Sequence, residues 1–261
     1  MQNRTVVTVA PDASFSGVGV PILTQTERRI LARTDTSLFF APWLNFHEPT
    51  GFPDAHRAVI AAPVEADEFP THAQAGPDEH PELRADTEFP VGVLWTPTNA
   101  VMPSWTIAQV SRASSQVFGT PIVGIAGNGG DGIGMGPRSG DLFRVIRYNE
   151  TNASSSNSDV LASIGDVLTG EWHHSVVSYD AQSETLRVWI NGELEETVTS
   201  LSLSAGTSRI TLMGAHDAQG FTDGGSRGAR LALAMVCNSA DPAVAADMIA
   251  AGRERFPSVI S

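Results

Sequence analysis

The sequence predicts an all-β protein, an antiparallel sandwich with one short helix near its C-terminal end. Three observations carry that prediction. From Phe89 onward the chain is a series of short apolar and β-branched segments separated by Gly, Ser, Asn and Asp, the pattern of strands joined by turns. No sustained helical periodicity lies between those segments, which argues against a parallel sheet with crossover helices. Leu186, Val188 and Ile190 alternate with Arg187 and Trp189 and run into Asn191-Gly192, the preferred pair for a tight type I′ hairpin.

Taken in order, VVTVA at 6–10 is β-like, and TQTERRILAR at 24–33 is a short helix with Thr24 as cap and Glu27 at the capping-box position. SLFFAPWLNF at 37–46 is an edge strand or a packed loop, because Pro42 interrupts it. Between Ala61 and Pro90 the eight acids Glu65, Asp67, Glu68, Asp78, Glu79, Glu82, Asp86 and Glu88 face Arg84 alone. Prolines space that stretch, so it reads as a solvated join with little regular structure and little core. Strands follow at 91–95, 104–111, 121–127, 141–148, 173–180, 185–190, 192–197, 208–214 and 229–236. The closing helix takes Asp241 as N-cap, Pro242 at its first position and Gly252 as its stop.

A chain of 261 residues with 41% hydrophobic and 17% charged residues buries a core without staples. All sixteen cations are Arg, and the net charge is -13. No basic stripe exists to neutralise phosphates, so nucleic acid is not an expected partner. No apolar run is long enough for membrane insertion. No leader-type segment precedes Pro11 and Asp12, so the expected location is cytoplasmic by default, or extracellular or in a virion after release by lysis or a dedicated system. Cys237, the single cysteine, sits in an apolar run and is expected to be a buried thiol.

The stretch GEWHHSVVSYDAQSETLRVWINGELEE, Gly170 to Glu196, resembles the laminin G-like and pentraxin-like branch of the concanavalin A-like lectin/glucanase jelly-roll superfamily. Gly170, Trp172, His174, Tyr179, Asp180, Val188, Trp189, Asn191 and Gly192 carry the resemblance, with looser likeness from Asp86 to Phe256. It implies a jelly-roll domain over 86–261, preceded by a region over 1–85 of unassigned fold that packs on the sandwich or serves for attachment. The last strand departs from the family at Arg230, Leu231, Ala232 and Leu233, which weakens transfer of any particular ligand site.

The resemblance implies a carbohydrate or glycoconjugate partner. Sugars are held by aromatic faces and a few polar groups, and Trp105, Trp189, Arg187, Asp217 and Asp223 are the pieces available for ligand binding. Trp189 lies opposite the Leu186 face, on an outer sheet surface or under the N-terminal region. The family also suggests Ca²⁺ at the rim, for which Asp131, Asp217 and Asp223 are the candidate oxygen ligands; ordinary turn aspartates are the competing account. His173 and His174 point to opposite faces of a strand and cannot share a zinc ion unaided. Gly127, Gly129 and Gly132 satisfy G-x-G-x-x-G, yet Gly134, Gly136 and Pro137 forbid the helix a phosphate site requires. Glu65, Asp67 and Glu68 lack the strand context of paired glycosidase carboxylates, and Glu193 with Glu195 reads as a solvated edge.

The resemblance thus implies a non-enzymatic recognition protein with a lectin-like, glycan-binding sandwich, whereas the residues alone support only an acidic β-sandwich. Two alternatives stay open. One is a structural or virion-type component, a homo-oligomer or part of a larger assembly, attached through the N-terminal region. The other is a polysaccharide lyase or hydrolase.

Overall fold

A computed structural model describes residues 23–42, 71–73, 76–80, 82–84, 93–95, 102–113, 122–128, 131–138, 140–148, 158–167, 170–204, 207–213, 216–217, 220–221 and 228–260. Its elements in chain order are α1 (Gln25–Ala32), β1 (Thr36–Phe40), β2 (Thr71–Ala73), β3 (Glu82–Arg84), β4 (Val93–Trp95), β5 (Trp105–Arg112), β6 (Val123–Asn128), β7 (Gly132–Arg138) and β8 (Leu142–Tyr148). They continue with β9 (Ser158–Ile164), β10 (His173–Asp180), β11 (Thr185–Ile190), β12 (Glu193–Val198), β13 (Thr207–Leu212), β14 (His216–Asp217), β15 (Gly220–Phe221), β16 (Arg230–Cys237) and α2 (Pro242–Arg255). One sheet runs β12-β11-β10-β5-β16-β3-β2, with β1 also paired to β16. The other runs β4-β13-β6-β7-β8-β9, and β14 pairs with β15. Every pairing between described strands is antiparallel. This is the all-β sandwich expected, in jelly-roll form with a short helix at each end.

The two sheets enclose Trp105, Ile107, Val177, Tyr179, Leu186, Val188, Ile190 and Val236 from one side and Ile125, Ile133, Met135, Phe143, Val145, Ile210 and Leu212 from the other. A second apolar cluster lies on the other face of the larger sheet, where Ala108, Val110, Val176, Leu233, Met235 and Cys237 meet Ile30, Val244, Ala245 and Met248. Alternation on β5, β10 and β16 therefore feeds two cores, and the near-continuous apolar sequence of β16 follows from burial on both faces. Burying Met248 or Val244 there contributes roughly 1.5–3 kcal/mol each. The thiol of Cys237 is buried, and desolvation pushes it up to about 11.

Local chemistry fixes the ends of the helices. The Thr24 hydroxyl accepts from the Glu27 N–H at 3.2 Å while the Thr24 N–H donates to the Glu27 carboxylate at 2.7 Å, the expected capping box. Asp241 caps α2 by accepting from the Ala243 N–H at 2.9 Å. Gly252 is not the stop, since α2 continues to Arg255. Its role is close approach: a Cβ at Gly252 would stand 2.8 Å from the His174 ring and 2.9 Å from Ile260.

The acid-rich stretch also departs from expectation. It supplies β2 and β3, and Leu83 is fully buried in the core between the sheets. Glu82 is fully buried as well, paired with Arg84 and with Arg230. β3 lies along Arg230 and Leu231 while β1 lies along Ala234 to Cys237, so residues before position 86 complete one long edge of β16. The β-like 6–10 segment and Glu65, Asp67 and Glu68 lie outside the described residues. Besides β2 and β3, the strands β7, β9, β14 and β15 are not among those the sequence predicts. In β7 the alternate glycines place Ile133 and Met135 on the core side.

Candidate functional site

The helix-covered face holds two of the candidate ligand residues. β11 turns Leu186, Val188 and Ile190 inward, so Arg187 and Trp189 point the other way. Trp189 is partly buried and packs on the cluster that includes Val176 and Met248. It borders the cluster that α2 covers on the neighbouring strands β10 and β5. His174 shares this face. Its ring is fully buried beside Gly252 with neither ring nitrogen hydrogen-bonded among the described residues, its backbone N–H donates to the Asn191 side-chain oxygen at 2.9 Å, and burial followed by the nearby Arg253 charge lowers the ring pKa to about 3. Asn191 and Gly192 both have positive φ, 50° and 89°, as the type I′ hairpin demands. α1 is clamped to α2 through Glu27, whose buried carboxylate accepts from Arg255 at 2.9 Å, with Arg29 to Asp247 at 2.8 Å outside it.

One end of the sandwich is built around Tyr179. Its ring lies 5.9 Å from that of Trp105, which is 3% exposed between the sheets. The Tyr179 hydroxyl donates to the Leu201 carbonyl at 2.9 Å and accepts from the Leu203 N–H at 3.1 Å. Asp131 is at this same end, because its carboxylate accepts from the Ser204 N–H at 2.8 Å and faces the Ser204 hydroxyl at 3.1 Å. Arg147 and Asp159 form an ion pair close by in sequence register on β8 and β9.

The opposite end carries Asp217. Asp217 pairs with Gly220 in the two-residue strands β14 and β15, and Asp223 lies outside the described residues. β14 follows the end of β13 that pairs with Val123, whereas Asp131 follows the end of β6 that pairs with Thr207. The six residues of β6, roughly 20 Å, separate the two positions. Asp131 and Asp217 are thus not brought to one site. Among the described residues no group of three His, Cys, Asp or Glu is arranged to hold a metal ion.

A cluster that sequence reasoning did not single out lies inside that opposite end. Gln109 and Ser111 continue the core-facing side of β5 begun by Trp105 and Ile107, and His173 and Ser175 continue the core-facing side of β10 begun by Val177 and Tyr179. Register sets Ser175 across from Gln109 and His173 across from Ser111. Gln109 is 0% exposed, Ser111 and Ser175 are each 1%, and His173 is 6%. Both amide atoms of Gln109 and the hydroxyls of Ser111 and Ser175 have no hydrogen-bond partner among the described residues. Each such buried group costs about 1–3 kcal/mol relative to a satisfied one. The signal in the sequence was the break in apolar alternation along TIAQVS and HHSVV, hidden because Gln and Ser also suit a solvated face.

The family model described as the concanavalin A-like lectin/glucanases superfamily matches residues 98–229. Among solved structures, domain 4 of AbnA, a GH43 extracellular arabinanase from Geobacillus stearothermophilus in complex with arabinotriose, is similar at 13% identity and a TM-score of 0.56, covering 82% of this chain and 98% of that one. Trypanosoma rangeli sialidase, in complex with 2,3-difluoro-KDN, gives 11% identity and a TM-score of 0.54, covering 96% of this chain and 36% of the sialidase. A heptameric SAP-like pentraxin from Limulus polyphemus gives 18% identity and a TM-score of 0.45 over 60% of this chain and 74% of that one. At these identities the likeness is one of fold. No curated protein sequence matches the chain.

Proposed function

Since the chain belongs to the concanavalin A-like lectin/glucanases superfamily, we propose that it is a non-enzymatic recognition protein whose sandwich binds glycan. The observation that carries this reading is the match of its sandwich to nearly the whole of a discrete domain crystallised with arabinotriose, in a superfamily that takes its name from lectins as well as glucanases. The buried carboxylates support the non-enzymatic part. Glu27 faces Arg255, Glu82 faces Arg84 and Arg230, and neither is positioned as one of two opposed acids of the kind that cleave a glycosidic bond. No helix among the described residues is long and apolar enough to cross a membrane.

The recognising end in this reading is the one with the β14–β15 hairpin, and the sequence offers Asp217 and Asp223 as the polar groups proposed to meet sugar hydroxyls. Trp189 and Trp105 act instead as packing residues in this reading, each against a core cluster. The decisive experiment is a glycan array run with added calcium and with chelator. Retention of a defined set of glycans is the expected result, and a difference between the arms would assign Ca²⁺ a part in it. If neither arm retains any glycan above background, the proposal is wrong.

A further inference from the structure

We infer that Gln109, Ser111, His173 and Ser175 form the inner part of a recognition site for an uncharged, hydroxyl-bearing sugar residue, reached from the end of the sandwich that carries the β14–β15 hairpin; this rests on the glycan reading and gives it a ligand class. The four side chains form one two-by-two patch on β5 and β10, in direct cross-strand register. Four polar atoms of the patch, both on the Gln109 amide and one each on Ser111 and Ser175, are buried and lack a partner among the described residues. An apolar side chain of similar size in place of Gln109 would lie on the face that carries Val177, Ile190, Leu231 and Ala234 and would bring no unmet donor or acceptor. The other end of the same two strands shows what this fold does with a polar group kept for structure: the Tyr179 hydroxyl both donates and accepts.

Position and chemistry define the ligand. The Tyr179 end is tied shut through Leu201, Leu203 and the Ser204–Asp131 contact. The patch lies at the far end of β5 and β10, the end at which β13 hands over to the hairpin bearing Asp217. An amide and two hydroxyls offer donors and acceptors without charge. They match sugar hydroxyls and supply no cation for a carboxylate, and a chain of net charge -13 further disfavours anionic glycans.

The test is an array of neutral and sialylated or uronate glycans probed with the full chain, with Gln109→Leu and with the double variant Ser111→Ala/Ser175→Ala, alongside melting temperatures. The expected result is retention of neutral glycans by the unsubstituted protein and a loss of tenfold or more in apparent affinity in both variants, at unchanged or higher melting temperature. A merely structural patch would not separate affinity from stability in this way. Unaltered binding by the variants, retention of acidic glycans alone, or loss of binding accompanied by a lower melting temperature in both variants overturns the inference and leaves the glycan reading standing. Failure of the unsubstituted protein to retain any glycan removes both.

Discussion

The two ends of β5 and β10 face the same interior and are built in opposite ways. At one end Trp105 stacks obliquely on Tyr179, and the buried Tyr179 hydroxyl has both an acceptor and a donor in the backbone of Leu201 and Leu203. At the other, Gln109, Ser111 and Ser175 bring four polar atoms into the core without partners. Apolar burial and a satisfied hydroxyl make the first end a source of stability. Unmet polar groups make the second a drain on it, and such sites persist where function requires them. In the proposed reading, the difference gives folding to one end and recognition to the other.

The largest expected effect comes from breaking the first end. Trp105→Ala removes a side chain 3% exposed between the sheets, and a loss of about 3–5 kcal/mol in unfolding free energy is expected for such a truncation. Equilibrium unfolding in urea measures it. A loss under 1 kcal/mol would mean that the Trp105–Tyr179 end is not the anchoring one.

The next effect concerns the other face of β10. His174 is neutral in the folded protein down to about pH 3 because it is buried and near Arg253, whereas in the unfolded chain it takes up a proton near the ordinary histidine value of about 6.5. Between those values the unfolded state binds more protons, so stability is complete above pH 6.5 and falls as the pH drops toward 3. The loss from this group is on the order of 2 kcal/mol by pH 5. His174→Leu should flatten the dependence between pH 7.5 and pH 5, read from denaturant midpoints. An unchanged slope in that variant would place the acid sensitivity elsewhere, for example at the half-buried His80, whose pKa is lowered chiefly by burial.

A smaller effect sharpens the satisfied end. Tyr179→Phe keeps the ring and deletes the hydroxyl, leaving the Leu201 carbonyl and the Leu203 N–H without that partner. A loss of about 1–2 kcal/mol is expected from two hydrogen bonds of ordinary worth, measured by thermal or urea unfolding. No loss would show that water replaces the hydroxyl there, and the contrast between the two ends would narrow.

How much of this was legible in the sequence depends on the type of signal. Period-two alternation with firm turn residues placed β10 and β11 residue for residue, and the capping chemistry of Thr24 and Asp241 placed both helix starts. The edge-completing role of β2 and β3 was not legible, because Glu82 beside prolines looks solvated until its long-range partner Arg230 is known. Gly252 looked like a helix stop because the feature that requires glycine there, the His174 ring, is distant in sequence. For the candidate site, the sequence offered Trp189 and Arg187 from a strand face bordering the cluster that α2 covers, and that cover cannot be inferred from alternation. It passed over Gln109 and Ser111, because local pattern does not reveal that both faces of β5 are covered. Pairing partners and covering layers are tertiary facts, and those are where the reading stopped.

The smallest effect is also the one with an unusual sign. Gln109→Leu exchanges an amide with two unpartnered atoms for an apolar group of similar volume in a strand already packed against Ile107 and Val177. The desolvation penalty of the amide disappears and the apolar contact improves, so stability should rise by about 1 kcal/mol. Repacking around the branched side chain offsets part of that gain, which is why the increase is expected to be modest and not the full penalty. Urea midpoints at pH 7.5, where His174 is neutral in both states, isolate the change. A loss of more than 1 kcal/mol would mean that the Gln109 amide is satisfied within the folded protein, and the unmet end of β5 would then be no different in kind from the end built on Tyr179.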